Sequence, residues 1–167
     1  MAPEKQDYVL RLIEELGRFA AEAARLRNGG RYDAALLTVL QAQERLFARP
    51  ARDFITRAVE DQVTLLVVGE TVASGREKCL AYARLLIEAG ATYRARDQAA
   101  LALGACRFAL HVLLLARERL PCLDALPLVE RIGPLLDRLP EDRLKNEVQD
   151  LLGQLAAPPQ AGQPSPP

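Results

Sequence analysis

Few side chains in this sequence could do covalent or acid–base chemistry. There is one histidine, His111, and there are three cysteines, Cys79, Cys106 and Cys122. A structural zinc site takes four Cys or His ligands in closely spaced pairs. These cysteines are odd in number and far apart, no CxxC occurs, and His111 does not complete a set. Reduced, buried thiols in a reducing compartment are the simpler expectation. Serine is rare, and no GxSxG, P-loop or HExxH motif is present. Acidic residues fall mostly as pairs on helix surfaces, and nothing marks a carboxylate dyad for acid–base work. The expectation is a protein that binds rather than catalyses, with no catalytic residue, metal or cofactor.

One polar pair stands apart. Arg107 and His111 lie four residues apart, hence on one helix face, inside the most apolar stretch of the chain, Ala99 to Ala116. The sequence reads them as a buried or rim hydrogen-bonded pair; Glu60, Asp61 and Glu70 are candidate acid partners, and sequence does not choose among them. A polar binding site is the functional alternative. The stretch is about as long as a membrane span. A charge near its middle is costly in lipid, so a core helix is expected and no membrane partner.

The elements that must position these residues are helices. Of the 167 residues, 50% are hydrophobic and 5% aromatic, with no tryptophan. Leu and Ala carry the apolar content, and both are strong helix formers. No run alternates apolar and polar residues as a half-buried strand does. The fold class expected is all-α. The net charge of +0 argues against a nucleic-acid partner, which calls for a basic face. The opening MAPEKQDY is polar and mixed in charge, unlike a secretory signal, so a cytoplasmic location is the default expectation.

Apolar periodicity and breakers predict seven helices. Val9, Leu12, Ile13, Leu16, Phe19, Ala20, Ala23 and Leu26 make one stripe from Glu4 to Arg27, which Asn28-Gly29-Gly30 ends. A second helix is expected over Tyr32 to Ala48 and a third over Arg52 to Ala73. Ser74-Gly75-Arg76-Glu77 has the form of a capping box, so a fourth helix should run from near Gly75 to Arg96. Asp97 would cap a fifth, Gln98 to Leu120. Pro127 suits the first turn of a sixth, to Arg138, bent at Gly133-Pro134. Pro140-Glu141-Asp142 would open a seventh, to Leu155. A helical domain over 1–156 and a disordered proline-rich tail over 157–167 are the expected division.

Two windows resemble the tetratricopeptide repeat, a helix–turn–helix unit of about 34 residues. In LLIEAGATYRARDQAALALGACRFAL, Leu86 takes the bulky position and Gly90 and Tyr93 the small-x-x-aromatic pair. Ala102 and Ala109 take the small positions of the second helix, with Cys106 between them in place of an aromatic. In GGRYDAALLTVLQAQERLF, Gly30, Tyr32, Ala35 and Ala42 match, with Ala23 in the preceding helix. The opening DYVLRLIEELGRF also resembles the start of uncharacterised bacterial helical-repeat proteins. The family's Trp and closing proline are absent. In the helix count the fifth helix opens a hairpin rather than closing one, so a boundary is misplaced or the stack is irregular. The resemblance implies antiparallel hairpins in a right-handed stack and a scaffold or adaptor role, binding a protein or peptide in a groove. It places Arg84, Ile87, Ala91 and Arg94 on that groove, with the two arginines suited to an acidic partner. A self-associating structural component, with a possible homodimer, is the second reading. A small helical enzyme or ligand sensor, with Arg107 and His111 in a pocket wall, is the third.

Overall fold

The computed structural model describes residues 3–158, and the described residues are all-α. Helix α1 spans Pro3–Asn28, α2 Tyr32–Phe47, α3 Val59–Val67 and α4 Val72–Ala95. Helix α5 spans Ala99–Arg119, α6 Leu126–Leu136 and α7 Arg143–Ala156. The expected boundary at 156 coincides with the end of α7, and most of the tail lies outside the described residues.

The stripe on α1 is the buried face: Val9, Leu12, Leu16, Ala20, Ala23 and Leu26 are all in the core. Gly30, at φ 75°, ends that helix in the left-handed conformation, and the chain returns as α2. Ala35 and Ala42 of α2 and Ala23 of α1 are fully buried, so small side chains lie where the first hairpin closes. The α4–α5 hairpin closes the same way. Gly90 lies against Ala102 and Cys106, where an added Cβ would stand 3.2 Å from the Cys106 sulfur. The turn between α4 and α5 is made by Asp97, whose φ of 61° is one that Asp tolerates better than most residues.

The third helix departs from expectation. Ala51–Asp53 is one 3₁₀ turn, Phe54 to Arg57 is irregular, and α3 is only 9 residues long. Gly69, at φ 71°, ends it where the apolar pattern ran on unbroken. Helix α4 then starts three residues before the expected position. Thr71 is its cap and accepts from the Ser74 backbone N–H, so the capping box at Ser74 is not used. Helix α3, at 9 residues, is shorter than its neighbours. It packs on α4 and α5 as an insert, and α1–α2 and α4–α5 are the two long hairpins. Helix α6 carries Pro134 inside it, and α7 starts with Asp142 as cap.

Helix α4 is the hub, packing on α1, α2, α3, α5 and α6, while α7 closes over α5. Three of the four phenylalanines and one of the four tyrosines form a row through this hub. Phe47 stacks on Phe54 at 4.2 Å, and Tyr82 meets Phe47 edge-on at 5.0 Å. Phe108 continues the row from α5. The Tyr82 hydroxyl donates to the Gln62 side chain, whose amide donates to the Arg57 carbonyl, so α3 is held to α4 by satisfied polar groups. On the other side of α4, Glu88 is 2% exposed and its two oxygens accept from Arg27 of α1 and Arg131 of α6, each at 2.5 Å.

Candidate functional site

Helices α2 and α5 both pack on α4 yet make no extensive contact with each other. The gap between them is an open groove of about 640 Å³. Leu36, Leu37, Leu40 and Gln43 form one wall, and Ala100, Leu101, Gly104, Ala105 and Phe108 the other. Tyr82, Leu86, Ala89 and Tyr93 of α4 form the floor. On each helix these residues recur at spacings of three, four and seven, so each helix presents one continuous stripe. The sites with small side chains on α5 lower that wall. The groove is nearly all apolar, and Leu37, Ile55 and Leu101 on its edges are 55%, 54% and 50% exposed. Gln43 and Gln62 are the polar amides of the lining, and Gln62 is satisfied by Tyr82 and the Arg57 carbonyl, whereas Gln43 is not so paired. Gln43 is 7% exposed, lines the groove, and makes no side-chain hydrogen bond among the described residues.

A second, smaller cleft of about 240 Å³ lies across α4, between α1 and the start of α6. Ile13, Leu16, Gly17, Ala20, Leu80 and Leu128 give it apolar walls, and Arg84 projects among them.

The residues that the repeat resemblance marked fall elsewhere than the larger groove. Arg84 lines the smaller cleft. Ile87 is 2% exposed and belongs to the core, so it cannot meet a partner without repacking; this corrects its assignment to a binding face. Ala91 and Arg94 are half-buried farther along α4. The stripe that does line the groove, Leu86, Ala89 and Tyr93, is the neighbouring one.

Arg107 and His111 do not form a pair. Arg107 is exposed and donates to Glu147 of α7 at 3.2 Å, and Glu147 also accepts from Arg143. His111 is exposed, with no hydrogen bond among the described residues. Of the three candidate acid partners, Glu70 pairs instead with Lys78 at 2.8 Å. The expectation of a buried or rim pair fails because the face they share points outward, beside the groove.

Cys79 and Cys106 are buried, and burial alone pushes Cys106 up to about 12; for Cys79 burial outweighs Arg119 and Lys78, with the same result of about 12. Both are neutral thiols at neutral pH and poor nucleophiles. Cys122 is exposed, in a left-handed backbone conformation of φ 60°. Among the described residues, no three His, Cys, Asp or Glu side chains converge as a metal site. Among the same residues α5 is the one helix long and apolar enough to cross a membrane; its buried face, Ala102 to Ala116, packs in the core. No protein-family model, no curated protein and no solved structure matches this chain.

Proposed function

We infer that this protein is an interaction module of the tetratricopeptide type, a scaffold or adaptor that receives an amphipathic helix of a protein partner between α2 and α5. The observation that carries the reading is the groove itself: an apolar trough walled by two helices, floored by a third, with three half-exposed aliphatic side chains on its edges. A helix laid there would complete the layer over α4 and match apolar residues at i, i+3, i+4 and i+7 to the lining. Complete burial of a Leu or Ile contributes roughly 1.5–3 kcal/mol, so each half-exposed edge residue offers about 1 kcal/mol on docking.

The test is selection of helical peptides from a displayed library, followed by binding to the native chain and to Leu37→Glu and Leu101→Glu. The selected peptides should carry an i, i+3, i+4, i+7 apolar face, and each substitution should weaken them about tenfold or more while leaving the fold intact. Peptides that bind equally well to both variants would place recognition outside the groove and sink the proposal.

Self-association is the second reading, favoured by the same exposed Leu37, Ile55 and Leu101. Light scattering on the chain truncated after Leu155 separates the two. A monomer leaves the groove free for an outside partner. A dimer that Leu101→Glu dissociates makes the second copy the occupant.

A further inference from the structure

The smaller cleft holds an arginine without a counter-ion. Arg84 projects from α4 between α1 and α6, and its Nε is sealed from solvent with no hydrogen-bond acceptor. Its neighbours Arg27 and Arg131 both pair with Glu88, whereas Arg84 forms no ion pair among the described residues. A guanidinium carries five donors and no acceptor, and a sealed N–H left unpaired is costly. The walls around it are aliphatic. Gly17 and Ala20 of α1 and Ala81 of α4 keep the space open where larger side chains would fill it. The two acids of the cleft, Glu77 and Asp124, are exposed, and Asp124 is already the acceptor for the Leu126 backbone N–H. Arg84 is therefore the cationic group of the cleft, half-buried among mostly aliphatic walls and without an ion pair among the described residues.

We propose that this cleft binds a small apolar monocarboxylate, its carboxylate on the Arg84 guanidinium and its hydrocarbon chain among Ile13, Leu16, Leu80 and Leu128. An acid of this kind supplies what the cleft needs, an anionic acceptor on an otherwise apolar body, and the pairing is of the strong, charge-assisted type. At about 240 Å³ the cleft is smaller than the roughly 300–1,000 Å³ of pockets for drug-sized ligands, so a short-chain acid such as hexanoate is the fitting probe. The cleft opens on the opposite side of α4 from the groove and shares no lining residue with it. The proposal is thus independent of the partner-binding reading.

The test is a titration of the ¹⁵N-labelled full chain with sodium hexanoate, with hexanol and hexylammonium as controls. The readouts are the backbone amide signals and the Arg84 Nε–H signal. Saturable shifts at Gly17, Ala81, Arg84 and Leu128 are expected with hexanoate. Arg84→Gln should weaken binding about tenfold or more, the effect of one charge-assisted hydrogen bond, and Arg84→Lys by less. Glu77→Gln should strengthen it by removing a like charge at the mouth. Leu101→Glu should leave it unchanged. Hexanol binding as tightly as hexanoate to the native chain would overturn the role of Arg84 without recourse to any variant. Hexanoate shifts that are unsaturable, or scattered away from the cleft, would overturn the site.

Discussion

Glu88 should be the most sensitive polar position in the fold. Its side chain is 3% exposed and is held at 2.5 Å by Arg27 and by Arg131, so one carboxylate ties α1 and α6 to α4. Substitution by Gln keeps the shape but removes the charge and turns an NH₂ donor toward one of two guanidinium donors. Breaking a fully buried pair from one side costs roughly 3–5 kcal/mol, because the remaining charge is left unpaired. Arg131, at 42% exposed, can turn to water, whereas Arg27, at 19%, cannot do so as readily. Only the Arg27 contact then counts nearly in full, and about 2–3 kcal/mol is the expected loss. For a chain of this length that is a fall in Tm of roughly 4–12 °C. Urea and thermal unfolding followed by circular dichroism would measure it, alongside Arg27→Gln and Arg131→Gln. The order expected is Glu88→Gln most costly, then Arg27→Gln, then Arg131→Gln. A Glu88→Gln protein within about 0.5 kcal/mol of the native chain would refute the argument, since that is the scatter of ordinary surface changes. Equal costs at Arg27 and Arg131 would refute the weighting by exposure.

Two further outcomes follow from local chemistry. Burial raises Cys79 and Cys106 to about 12 and also raises Tyr82, so the folded chain keeps protons that the unfolded chain releases above the ordinary thiol range. The unfolded state then binds fewer protons, and stability must fall as pH rises from about 9 toward 12; urea titrations at stepped pH should show this, with a shallower fall in Cys79→Ala/Cys106→Ala. In the same experiment at pH 8, iodoacetamide should label Cys122 quickly and the other two only on unfolding, read by mass spectrometry. Thr71→Ala should cost about 1 kcal/mol by removing the acceptor for the Ser74 N–H, and Glu77→Ala should cost far less, because the cap lies at Thr71 and not in the Ser74 box.

Helix existence was legible wherever one apolar stripe ran to a strong stop, as in α1 before Gly30 and α2 before Pro50. It was less legible where an apolar run crossed a break. Val63 to Val68 reads as continuous helix, yet Gly69 adopts a positive φ and the third helix stops there. Thr71 and Ser74 are both competent caps, and sequence does not say which residue's backbone will be extended. The small residues of the two windows are buried where their helices lie close, because close helix approach constrains size directly. The site was not legible to the same degree. Offsets carried over from the repeat pattern pointed to Ile87, whereas the groove uses the stripe of Leu86, Ala89 and Tyr93. Adjacent helix stripes differ by one residue, and only the placement of α2 and α5 around α4 decides which stripe stays open.

The hub position of α4 ties the two openings to different neighbours, and that separation is itself testable at Gly90. A methyl group added there would meet the Cys106 sulfur at 3.2 Å and the Ala102 carbonyl oxygen at 3.4 Å. Both residues are buried, so the Cys106 side chain has little room to turn and α5 is expected to give by a few tenths of an ångström. Overpacking of this kind costs roughly 1–3 kcal/mol. The better helix propensity of Ala recovers about 1 kcal/mol, leaving Gly90→Ala modestly destabilised. Cys106→Ala in the same chain should reduce that cost by removing the sulfur. The displaced α5 is a wall of the groove but not of the cleft, which is built from α1, α4 and α6. Gly90→Ala should therefore weaken helical peptides selected on the native groove and leave hexanoate affinity unchanged. If both affinities fall together, α4 itself has shifted or bent, and the two sites cannot be treated as independent surfaces of one rigid helix.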